Sequence, residues 1–147
     1  MRRLGKFWSL PKGEKKLLRE AGILLLLSNA CIKVVAFRHL DRLLRTRWND
    51  RLKSDIDRKE EIKLVRRSVS RAANILPWRS RCLSRSIAEF IMLRRRGIPA
   101  VMLAGVRFSG SSSLDAHAWV NTGTNDNVSE GSGFTTVIRI GAEAADR

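Results

Sequence analysis

The chain has 147 residues, 44% of them apolar, and 29 Lys+Arg against 14 Asp+Glu give it a net charge of +15. That length supports one domain with an appended helical arm, and that apolar share excludes global disorder. The charge suits a polyanion such as nucleic acid or an acidic membrane. However, the chain has no Tyr and only 6% aromatics, which leaves little for base stacking, and an acidic peptide or partner protein is served equally well.

In chain order, Ser9-Leu10-Pro11-Lys12-Gly13-Glu14 reads as a helix start, with Pro11 in the first turn and Ser9 as a cap. Leu17, Leu18, Ala21, Leu24, Leu25, Ser28 and Ile32 then recur at helical spacing. The uncharged run from Ala21 to Ile32 is too short for a bilayer, which needs roughly 20 residues. It reads as a buried helix, or, with its Lys and Arg flanks, as one lying at a membrane interface. The run begins only after Glu20 and no Ala-x-Ala-like site follows closely, so no signal peptide is expected. Cys31, inside the run, reads as a buried inert thiol.

Val35, Phe37, Leu40, Leu43 and Leu44 predict a second helix, with Arg38, Arg42, Arg45 and Arg47 on its other face. His39 lies in that basic stretch without partner spacing and reads as a solvated or packing histidine. Arg47 to Arg58 reads as a solvated helix face or linker. The next helix carries Ile62, Val65, Val69 and Ala72 as one stripe, and Pro77 ends it.

Ser80 is placed to cap a helix whose inward stripe is Leu83, Ile87, Phe90 and Ile91, and whose stop signals are Arg94-Arg95-Arg96 and Gly97. Three strands follow: Ala100 to Phe108, Leu114 to Asn121 after a Ser/Gly loop, and Phe134 to Ile140 after the turn at Thr122 to Asn127. The sum is an α+β chain, helices first and then a small, mostly antiparallel sheet.

Two cysteines, 31 and 82, make no disulfide framework, and no CxxC or Cys/His metal spacing exists, so a reducing compartment fits and no metal or cofactor is expected. Cys82 falls in the first turn of its helix. Unpaired amide N–H groups, the positive dipole end and Arg79, Arg81 and Arg85 favour a thiolate there, and the Leu83 amide is placed to receive an oxyanion. His117 shares a strand face with Asp115 and Trp119, where the indole can shield it from water at a cleft rim. A thiol at a helix start and an imidazole on a strand form a nucleophile and its base. A structural cysteine and a satisfied polar histidine remain the plainer reading of each residue alone.

Four stretches in order, Cys82-Leu83-Ser84-Arg85-Ser86-Ile87-Ala88, Leu93 to Ala100, Gly105-Val106-Arg107 and Ala116-His117-Ala118-Trp119-Val120, resemble the leader peptidase of lasso-peptide biosynthesis. That family is a branch of the transglutaminase-like cysteine-protease superfamily. The resemblance implies a papain/transglutaminase-like core over 59–147, preceded by a basic helical region over 1–58. It also implies Cys82 as nucleophile, His117 as general base, and cytoplasmic cleavage of a ribosomally made precursor after its leader. The partners implied are a separate small leader-recognition protein and an ATP-dependent lasso cyclase, with no nucleic acid expected and peripheral membrane contact left open. The family carries an orienting acid on the strand after His117's strand, and reads Glu where this chain has Asn121. Glu130, past the turn, is the first choice for that acid, ahead of Asp126 in the turn and Asp115 on the same strand. Two other readings stay open: a non-catalytic basic module for nucleic acid or acidic membrane, and an acyl-transfer relative that ligates through the same thioester.

Overall fold

The computed structural model describes residues 11–34, 55–76, 82–109, 113–123 and 131–141. Within them run α1 (Lys12–Val34), α2 (Asp55–Ile75), α3 (Cys82–Arg95), β1 (Val101–Ser109), β2 (Ser113–Asn121) and β3 (Thr135–Ile140). The architecture is α+β, a helical layer against a three-stranded antiparallel sheet of order β2-β1-β3. The helix expected over Val35 to Arg47, with His39, and the Ser9 and Ser80 caps lie outside the described residues.

Each helix forms where apolar residues repeat at three- and four-residue spacing, and each buries that stripe. Leu18, Ala21, Leu25 and Ser28 of α1 are buried, as are Ile62, Val65, Val69 and Ala72 of α2. In α3, Ile87 and Phe90 are buried as expected, while Leu83 and Ile91 only flank the core and Met92 and Leu93 lie deeper. The three helices pack on one another, and α3 lies on β2 and β1. Met102 pairs with Val120 on one side and Ile140 on the other, and this row closes the same core. Burying a side chain such as Phe90 contributes about 1.5–3 kcal/mol.

The run from Ala21 to Ile32 is buried on one side only. Ile23, Leu26 and Leu27 are exposed on the other, and Cys31 is half-buried rather than buried. None of the described helices is long and apolar enough to cross a membrane. The first strand is likewise buried only in its first half. The paired Phe108 and Leu114 are both exposed, because the closed end of the β1–β2 hairpin projects past the core.

Ion pairs tie the helices together. Glu20 of α1 binds Arg95 and Arg96 at the end of α3, Arg96 also approaches Glu61 of α2 at 3.7 Å, and Arg66 of α2 holds Glu89 of α3 at 2.9 Å. The Arg96 and Glu20 side chains are only 18% and 17% exposed, so these pairs are less screened than surface ones. The end of α3 is a Schellman turn: Ile98 N–H donates to Leu93 O at 3.1 Å and Gly97 N–H to Arg94 O at 3.0 Å. Gly97 sits at φ 71°, which a side chain would resist, and Ile98 is fully buried just beyond it.

Candidate active site

Cys82 is the first residue of α3, in its first turn as the sequence suggests. The opening amide groups of a helix have no intrahelical acceptor, and Cys82 stands among the residues that carry them. Antiparallel pairing with β1 places His117 opposite Gly105 and Trp119 opposite Leu103. Both side chains of the candidate pair line one cleft of about 390 Å³ between α2, α3 and β2. The half-buried thiol is directed at the carbonyl of Ala116, with Sγ 4.0 Å from the oxygen. Cys82 and His117 are thus brought to one cavity, with the thiol turned to the backbone beside the imidazole.

His117 is held by rings. Its imidazole stacks on Trp119 (centroids 6.0 Å apart, 14° between planes) and tilts against Phe134 at 5.5 Å. Trp119 and Phe134 are themselves 6.3 Å apart, and the Arg107 guanidinium lies over Phe134 at 4.5 Å from its centroid. The indole is buried, and His117 beside it is half-buried. Gly105 makes room for this cluster: a Cβ there would stand 2.8 Å from Thr135 O and 3.1 Å from Trp119 Cη2. Phe134 gave no signal in the sequence, since only folding of the 131–134 turn onto the sheet brings it to His117.

Among the described residues, no carboxylate hydrogen-bonds the imidazole. Glu130 and Asp126 lie outside those residues. β3, the strand after the turn, pairs with β1 rather than with β2. Asp115 is engaged elsewhere, accepting from Arg107 Nη2 at 3.4 Å. Asn121, standing where the resembled family reads Glu, closes a turn by accepting from the Gly123 N–H at 2.9 Å.

The remaining walls come from α2 and the body of α3. Arg66, Val69 and Ser70 form one, and Arg85, Ser86 and Glu89 descend from Cys82 at helical spacing. The spacing of Arg85, Ser86 and Glu89 from Cys82 was legible, since all lie three, four or seven residues on. The part of α2 was not, because it depends on how two helices cross. Arg79 and Arg81 lie outside the described residues.

The transglutaminase-like superfamily model matches residues 24–139, which takes in the C-terminal half of α1, the cleft and nearly all of the sheet. The chain belongs to the transglutaminase-like superfamily. That superfamily includes cysteine peptidases and acyl transferases, and the α3-on-sheet arrangement is consistent with its core. Comparison with curated proteins and with solved structures gave no significant match.

Proposed function

We propose that the protein is a cysteine endopeptidase that removes the leader from a ribosomally made lasso-peptide precursor. The observation that carries the reading is the shared cleft, in which Cys82 at a helix start and His117 on the adjoining strand line one cavity of a transglutaminase-like chain. Cys82 turns from the Ala116 carbonyl to His117 and gives up its proton to the imidazole. The thiolate attacks the carbonyl at the end of the leader, and the protonated imidazole passes its proton to the departing amine. Water, deprotonated by His117, then hydrolyses the thioester and frees the leader. Amide groups of the first turn of α3 receive the oxyanion in both steps. Glu130 is the acid proposed to orient the imidazole. A separate recognition protein delivers the precursor, and an ATP-dependent cyclase takes the trimmed peptide.

The test is leader cleavage by purified variants, followed by mass spectrometry. Cys82→Ala is expected to abolish cleavage, and His117→Ala to slow it by roughly 10²–10⁴-fold. Cleavage retained by Cys82→Ala at the wild-type rate ends the proposal.

A second reading, a basic module on an acidic membrane, is favoured by one observation. The exposed Ile23, Leu26 and Leu27 follow the exposed Lys12, Lys16 and Arg19 along one side of α1. It predicts binding to anionic vesicles that weakens with salt and ignores alkylation of Cys82; no sedimentation with such vesicles at low salt removes it.

A further inference from the structure

We infer that the cleft contains a carboxylate subsite, built by Arg66 and Arg85, that takes an acidic side chain of the bound peptide close to the bond cut at Cys82. The inference rests on the endopeptidase reading only for what carries the carboxylate. Arg66 enters from α2 and Arg85 from α3, one turn below Cys82, and both line the cleft with the thiol and His117.

Each guanidinium is anchored on one edge and unsatisfied on another. Arg66 donates Nε–H to Glu89 Oε1 at 2.9 Å, while its Nη2 is buried with no hydrogen-bond partner among the described residues. Arg85 reaches Asn74 Oδ1 through Nη2 at 3.5 Å, while its Nε is buried in the same condition. Buried donors without acceptors are uncommon, and charged ones cost more than neutral ones. Among the described residues that line the cleft, Glu89 is the one acid against the guanidinium groups of Arg66 and Arg85. A second carboxylate in the cleft balances the charge of the wall. The planar fork of arginine suits that group in particular. The geometry near the thiol follows from helical spacing, since residues three apart on α3 are neighbours on its surface.

Reactivity of the thiol tests this without any peptide. In a Cys31→Ser background, the rate constants of Cys82 with 3-maleimidopropionic acid and with N-ethylmaleimide are measured and their ratio taken. Both probes meet the same thiolate, so the ratio cancels thiol ionisation and reads the carboxylate alone. The ratio is expected to fall roughly tenfold in Arg66→Gln/Arg85→Gln, as expected for losing charge-assisted hydrogen bonds, and less than about twofold in Arg19→Gln. An unchanged ratio overturns the subsite, and so does an equal fall in Arg19→Gln, which assigns the effect to the overall charge. Arg66→Gln strands Glu89, so where the double variant does not fold, Arg85→Gln alone carries the test with an expected fall of about threefold. A fall in the ratio in a protein that cleaves no leader leaves the subsite standing and removes the endopeptidase reading.

Discussion

Gly105→Ala isolates the packing that holds His117. Gly105 faces His117 across the β1–β2 ladder, and an added methyl would meet three walls: Thr135 O at 2.8 Å, Trp119 Cη2 at 3.1 Å and Phe134 Cβ at 3.2 Å. The first is backbone of β3 and cannot rotate away. Alanine restricts the unfolded chain and so gains about 0.4–1 kcal/mol wherever it fits. Overpacking costs about 1–3 kcal/mol, and at under 3 Å from a backbone atom it is the larger effect. The expected net loss is about 1–2 kcal/mol, or about 3–6 °C in Tm for a chain of this size. Urea and thermal unfolding followed by far-UV circular dichroism measure it. Leader cleavage is expected to fall as well, because the displaced rings are those flanking His117. Gly22→Ala is the paired control: nothing lies within 4 Å of a Cβ there, and the position is mid-helix. It is expected to raise stability by about 0.5–1 kcal/mol. A Gly105→Ala protein as stable as wild type refutes the argument that this close approach decides the outcome.

Other perturbations follow from the same packing. Phe134→Leu removes ring contacts with His117 and Trp119 and is expected to cost about 0.5–1.5 kcal/mol beyond lost area, read as a lower urea midpoint with slower cleavage. Glu20→Gln leaves Arg95 and the largely buried Arg96 short of their acceptor; a loss of about 1–3 kcal/mol in urea unfolding is expected. Phe90→Ala empties a fully buried position and is expected to cost about 3–5 kcal/mol, read as a lower midpoint in urea unfolding followed by circular dichroism.

Periodicity made the elements legible, because helices and strands bury residues at fixed intervals. Ile62, Val65, Val69 and Ala72 were readable as one face, and that face is buried. The ends of α2 and α3 were readable from Pro77 and Gly97, whose backbone limits are local. The order of strands was not readable: β3 returns to the far side of β1, a choice made by long-range packing. For the same reason the sequence did not announce Arg66 as a cleft residue or Phe134 as a neighbour of His117. Cys82 and His117 stood out because a thiol at a helix start and an imidazole beside a tryptophan on a strand are local patterns, and both line the cleft.

The Schellman turn at Gly97 acts as the clamp of a lever. α3 has 14 residues, so about 21 Å separates the clamped end from the end that carries Cys82. A tilt of about 5° at the clamp swings the far end by about 2 Å. Displacements of about 1 Å are enough to cost an enzyme two orders of magnitude in rate. A residue that relaxes the Gly97 turn, far from any chemistry, is therefore positioned to detune the thiol more than many substitutions in the cleft itself.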